Sequence, residues 1–185
     1  MKTLLETLQS GTAYLEKRGV DEPRLNMEHL TAKVLDCTRM DLYLAFDRPL
    51  EERHLAPLRD MTKRRGDREP LQHILGNVDF MGKEFLSDKR ALIPRPETEL
   101  VIDIVCEIFK ENSKRLLFAE LGTGSGAISI ALAIKKPLWS GIASDIDQNA
   151  LNIASRNFIN STDQSNLKFI CGHWWRPFKT LKEKL

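Results

Sequence analysis

Residues 119–133, AELGTGSGAISIALA, crowd three glycines into five positions, place Glu120 two residues ahead of the first, and run on into an apolar stretch with helical spacing. Three glycines so close are useful where the backbone must turn sharply and where something must approach it with no Cβ in the way. A strand before the loop and a helix after it supply both conditions, so the stretch predicts a strand–loop–helix unit around Gly122, Gly124 and Gly126. The neighbouring segments keep the alternation: helix in ETELVIDIVCEIFKE, strand in RLLFAEL, helix in AISIALAIKK, strand in SGIASDI, helix in QNALNIASRNFIN and strand in LKFICG. That order predicts an α/β fold of βαβ units about a parallel sheet.

The chain before it has a different texture. Leu4, Leu5, Leu8, Tyr14 and Leu15 recur at helical spacing up to a stop at Gly19. A second helix follows, with Asp21 as its expected cap, Pro23 in its first turn and Leu25, Leu30, Val34 and Leu35 as its stripe. RMDLYLAF and LEERHLAPLRDMTKRRGD extend the pattern to four short helices, with Pro57 as a kink or late start and Lys63, Arg64 and Arg65 as a solvated last turn. Between Gly76 and Ile93, the residues Val78, Phe80, Phe85 and Leu86 predict two short strands. The expected organisation is a helical bundle at 1–68, a hairpin linker at 69–93 and an α/β domain at 94–185.

Composition narrows the function classes. The 185 residues carry 28 Lys and Arg against 26 Asp and Glu, a formal charge of +2, so no global field asks for nucleic acid or an anionic membrane. Cys37, Cys106 and Cys171 are odd in number and far apart, which predicts buried reduced thiols and no metal site. No stretch reaches the ~18 apolar residues of a membrane span, and the N-terminus resembles neither a signal nor a transit peptide. A cytoplasmic monomer, bacterial in origin, is expected.

The loop GTGSGA also satisfies the loose dinucleotide pattern, with Asp145 where a ribose-binding acid belongs, so a nicotinamide dehydrogenase stays open on spacing. Glu120 weighs against it. A pyrophosphate near that carboxylate would meet repulsion on the order of several kcal/mol at an effective dielectric near 20. S-adenosylmethionine has no phosphate and carries a sulfonium and an ammonium, which Glu120 can attract. Asp145 would then accept from the ribose hydroxyls, its alternative role being a helix cap that Asp147 can also fill.

With LIPRPETE at 92–99 ahead of ELGTGSGAISIALA, the chain resembles the HemK/PrmC-type protein-glutamine methyltransferases. The resemblance covers nearly the whole chain, REPLQHILGNVDFMGKEF included, and implies an incomplete Rossmann-like class I methyltransferase sheet. It implies methylation of the glutamine amide in the Gly-Gly-Gln motif of peptide chain release factors, with S-adenosylmethionine as cofactor. It also implies that the N-terminal bundle contacts the release factor. By the same resemblance, Gly122, Thr123, Gly124, Ser125 and Gly126 line the methionine end, Asp145 holds the ribose, and Trp174 lies beside the adenine in preference to Trp175. Arg95, Pro96, Glu97, Thr98 and Glu99 match the motif near the cofactor and substrate entrance, although the acids could simply favour a helix start.

Two departures stand out. His173 occupies the place of an acid that accepts from the adenine amino group, which predicts weaker or pH-sensitive cofactor affinity. The 185 residues also contain no Asn-Pro-Pro-Tyr, the motif that in this family grips the target amide, so no catalytic residue is assigned and the chain by itself is expected to be inactive. A nucleic-acid adenine methyltransferase, disfavoured by the near-neutral charge, and a non-catalytic binding module remain as alternatives.

Overall fold

The computed structural model describes residues 2–110 and 115–179, in two compact units, Met1–Leu75 and Gly76–Leu185. The first unit is helical: α1 (Leu4–Lys17), α2 (Pro23–Leu35), α3 (Arg39–Tyr43), α4 (Glu52–Gly66) and α5 (Leu71–Leu75). Helix α1 starts in a capping box, with Glu6 N–H on Thr3 Oγ1 at 3.2 Å and Thr3 N–H on Glu6 Oε2 at 2.9 Å. Its core gathers Leu4, Leu8 and Leu15 of α1, Met27 and Leu30 of α2, Leu58 of α4 and Ile74 of α5. Helix α5, inside the segment expected to be linker, thus contributes to the helical core.

Two expectations for this unit are corrected. Asp21 does not cap α2: Glu22 holds the cap position in the left-handed region without a side-chain bond, and the Asp21 carbonyl accepts from Asn26 Nδ2 at 3.0 Å. The inward face of α2 centres on Met27, Leu30, Thr31 and Ala32, while Leu25 is half-buried. The basic run at the end of α4 is also not simply solvated. Arg64 grips Glu69 through Nε at 2.8 Å and Nη2 at 2.5 Å, and Arg65 Nε donates to Asn26 Oδ1 at 2.6 Å, leaving Lys63 exposed.

The second unit opens with an antiparallel hairpin, β1 (Asn77–Phe80) and β2 (Lys83–Leu86). Phe80 pairs with Lys83, so Met81 and Gly82 form a two-residue turn, both at positive φ as a twist-matched hairpin turn requires. A 3₁₀ turn (Pro96–Thr98) leads into α6 (Glu99–Ile108); the expected end of that helix at residue 111 lies outside the described residues. Then β3 (Leu117–Leu121), α7 (Ala127–Lys135), β4 (Ser140–Asp145), α8 (Gln148–Ser161), β5 (Leu167–Cys171) and the short α9 (Arg176–Lys179) alternate as the periodicity predicts.

The sheet is parallel in the order β3–β4–β5, with Leu121 opposite Ser144 and Asp145 opposite Cys171. Every strand therefore ends on the same side, where loops of an open α/β sheet collect ligands. Central β4 is buried over Gly141–Ser144, whereas β3 has no strand on its outer side among the described residues and exposes Leu117. Helix α6 buries Ile102 but exposes Leu100, Val101, Ile104 and Ile108. Ala127, Ile130, Ala131 and Ala133 of α7 meet Phe80, Phe85, Trp139 and Phe158 in the core. The cysteines are unpaired, but not all are buried: Cys37 and Cys106 are half-buried and Cys171 is exposed. Among the described residues no helix is long and apolar enough to cross a membrane.

Candidate cofactor site at the strand ends

The glycine loop runs from β3 to α7, and its three glycines serve different ends. All three have positive φ: 73° at Gly122, 55° at Gly124 and 82° at Gly126. A Cβ on Gly126 would lie 2.8 Å from Ile130 Cδ1 and 3.0 Å from Ala154 Cβ, so this glycine lets α7 pack on α8. A Cβ on Gly122 or Gly124 would meet nothing within 4 Å. Those two glycines therefore bare the backbone toward open space, where a ligand can approach.

The loop's own N–H groups are largely committed inside the protein. Gly122 and Thr123 both donate to the Ser144 carbonyl, at 2.8 and 2.9 Å, and Gly126 donates to the Thr123 carbonyl at 2.9 Å. Gly124 donates to Asp145 Oδ2 at 2.8 Å. A pyrophosphate needs such donors pointing outward. Here they are consumed by β4 and by a carboxylate, so the loop is no phosphate cradle.

Glu120 lies beneath the loop. Its Oε2 accepts from Thr123 Oγ1 at 2.6 Å and from the Ser129 N–H, in the first turn of α7, at 3.1 Å. Burial pushes the Glu120 carboxyl above the ordinary carboxylate range, with the nearby Asp145 adding to the rise and the Thr123 and Ser129 hydrogen bonds opposing it. The side chain braces the loop and the helix start; it does not line the cavity on the other side.

That cavity, of about 240 Å³, is lined by Leu121 and Gly122 at the end of β3, Ser144, Asp145 and Ile146 at the end of β4, and Gly172, His173 and Trp174 after β5. Its lining contains one carboxylate and no Lys or Arg. Asp145 occupies the tip of β4, held by Gly124 on one oxygen and by the Asp147 N–H at 3.0 Å on the other. Each oxygen keeps a further lone-pair direction for a hydroxyl donor. Capping of α8 falls to Asp147, which accepts from the Asn149 N–H at 2.8 Å, so that helix does not need Asp145 as its cap. Trp174 sits at φ 48° beside His173, is 65% exposed and lines the cavity. Trp175 instead meets Phe178 at 5.4 Å between ring centroids.

Not every candidate converges here. Thr123 and Ser125 are buried within the loop. Arg95, Pro96 and Glu97 are exposed in the 3₁₀ turn and Thr98 is half-buried; none of the four lines the cavity. Glu99 is tied to the hairpin by accepting from the Met81 N–H at 2.6 Å. The residue that sequence reading missed is Asn157 of α8, 1% exposed, whose Nδ2 donates to the Ser125 carbonyl at 3.0 Å while its Oδ1 accepts from the Leu86 N–H at 2.7 Å. It pins the glycine loop to β2. Its signal was a polar side chain on the same face as Leu151, Ala154 and Phe158.

A family model described as the PrmC N-terminal domain matches residues 6–76, nearly the span of the helical unit. The release factor glutamine methyltransferase of Chlorobaculum tepidum is 38% identical over 161 residues, which cover 84% of this chain and 54% of that protein. Over most of its length the chain is similar to release factor glutamine methyltransferases. The relatives of the same name in Rhodopirellula baltica and Nitratidesulfovibrio vulgaris are 37% and 35% identical, over 85% and 92% of the chain. The chain spans about half the length of these family members, 54% and 57% of the last two. Among solved structures, the SAM-dependent methyltransferase from Agrobacterium tumefaciens aligns at TM-score 0.49 and 17% identity, over 58% of this chain and 35% of that one.

Proposed function

We propose that the second unit binds S-adenosylmethionine and that the first unit engages a release factor, for methylation of the glutamine amide in its Gly-Gly-Gln motif. The observation that carries the cofactor reading is the inward commitment of the loop's N–H groups beside an acidic, cation-free cavity. Such a site repels a diphosphate and suits a ligand with positive charge and ribose hydroxyls. When bound, S-adenosylmethionine supplies an electrophilic methyl group on its sulfonium.

The chain's residues then divide the work. Asp145 holds two ribose hydroxyls through the free lone pairs of a carboxylate already fixed by Gly124 and Asp147. Gly122 and Gly124 admit the methionine end against bare backbone. Trp174 covers the adenine, and His173 accepts from its amino group while the imidazole is neutral. Glu120 favours the cation from behind the loop. Thr123 and Ser125 shape the loop from inside, and Arg95 to Thr98 stand toward the substrate entrance. The groups that orient an amide nitrogen, an Asn side chain and a carbonyl of Asn-Pro-Pro-Tyr, have no counterpart in this sequence. What these 185 residues supply to the reaction is therefore the binding of cofactor and partner.

A chimera tests this. The chain is fused to the part of the Chlorobaculum tepidum relative that follows the aligned region, then incubated with cofactor and a release factor. Mass spectrometry should find one added methyl on the Gly-Gly-Gln glutamine with the chimera and none with the 185-residue chain. A chimera that methylates DNA adenines instead, or a chain that methylates the release factor unaided, would contradict the proposal.

A further inference from the structure

A larger cavity, about 580 Å³, lies in the helical unit, between α1 and α4. Its wall on α1 is low because Ser10 and Gly11 are small, and its floor is Met27. A Cβ on Gly11 would fall 2.3 Å from Met27 Cε, so glycine lets the methionine end of α2 lie as an apolar floor close under α1. Leu55 and Leu58 form the wall on α4. The rim is cationic, with Lys2, Arg59 and Lys63 exposed and no carboxylate in the lining. Arg59 is paired with Glu52, which leaves Lys2 and Lys63 as the less compensated charges. In a chain of formal charge +2 this is a local concentration.

We infer that the groove docks an acidic, amphipathic helical segment of a protein partner. Three features select that occupant. From Leu55 to Lys63 the α4 wall runs about 12 Å at 1.5 Å per residue, the length of two helical turns. The apolar floor with one low wall suits anchors at i, i+3 and i+4 of a helix laid along it. The rim complements carboxylates flanking those anchors, whereas a nucleic acid would gain phosphate contacts and leave the aliphatic floor unused. The inference deepens the proposed function and rests on it only for the partner's identity, a release factor.

The test uses the full chain, with Lys63→Glu and Ser10→Trp as variants at exposed positions, each checked for an unchanged melting temperature. One arm measures binding of a purified release factor by biolayer interferometry. The other measures, by fluorescence anisotropy, a labelled helical peptide with Leu at i, i+3, i+4 and i+7 and Glu elsewhere on its flanks, beside its Lys-flanked twin. The acidic peptide should bind and weaken by about tenfold in both variants and in raised salt, with the Lys twin silent. The release factor should lose affinity in parallel. Equal binding of the two peptides, equal binding to wild type and variants, or stoichiometric binding of decanoate with no peptide binding would overturn the groove. A release factor that binds all forms alike overturns its docking here and leaves the partner reading intact. A release factor that fails to bind while the acidic peptide behaves as stated refutes the partner and supports the groove.

Discussion

Glu120 has one oxygen committed to Thr123 and Ser129, so its charge reaches a ligand through the loop and not across open solvent. This separates two quantities that a surface carboxylate would mix. Glu120→Gln keeps an acceptor for both donors, so the melting temperature should hold or rise, because the cost of burying a charge disappears. Affinity for S-adenosylmethionine should fall several-fold, and affinity for adenosylhomocysteine, whose sulfur is neutral, should fall less. Calorimetric titration of both ligands checks the difference; equal losses would remove the charge argument. The pH dependence has a definite sign. A carboxyl raised in the folded state favours folding most at low pH, and that contribution is lost as pH rises through its folded value. Cofactor affinity moves the opposite way, falling as the pH drops toward the carboxylate range and Glu120 takes up its proton, and the Gln variant should flatten this profile. At Asp145, replacement by Ala removes the acceptor for Gly124 and for the ribose together, so ligand affinity should fall by more than tenfold, measurable in the same titration.

At the scale of elements, the loop is held by what lies behind it. Asn157 serves a strand 71 residues away and the Ser125 carbonyl at once. Asn157→Ala strands the Leu86 N–H in the interior and should cost about 2 kcal/mol, read by urea denaturation. Gly126→Ala forces a Cβ against Ile130 and Ala154 at a left-handed backbone position and should cost roughly 1–2 kcal/mol or more, whereas Gly124→Ala meets no neighbour and pays only for its φ. These contrasts mark what sequence reading could reach. The helices and strands of the α/β unit were legible because their apolar periods are strong and their punctuation local: Gly126 before α7, Asp147 before α8, Met81-Gly82 between β1 and β2. Which of Asp145 and Asp147 caps α8 could not be told from spacing, since both precede the same helix. Only the tip of β4 separates them. Asn157 and the Arg64–Glu69 and Arg65–Asn26 ties were hidden because their partners come from other elements. Asp21 lost its cap because the chain enters α2 through a left-handed Glu22, which no local rule foretells.

For the whole molecule, the carboxyls of Glu28 and Glu120, one in each unit, are shifted in opposite directions. In the helical unit, burial pushes the Glu28 carboxyl up, but hydrogen bonds from Arg39, Tyr43 and Arg24 outweigh it and hold it below its ordinary value. Its contribution is present above the unfolded-state value and lost as pH falls through the lower folded one. Acid should therefore loosen the helical unit first at Glu28 while relieving the strain of charge at Glu120. Amide exchange followed from neutral to acidic pH should show α2 losing protection before α7, and Glu28→Gln should remove the acid step in α2. The central claim is a non-phosphate, cationic cofactor at the ends of β3, β4 and β5. Its most direct measurement is titration of the chain with adenosylhomocysteine and, separately, with NADH. The account predicts saturable one-to-one binding of adenosylhomocysteine, weakened more than tenfold in Asp145→Ala, and no heat from NADH. Binding of NADH to a chain that ignores adenosylhomocysteine would contradict it.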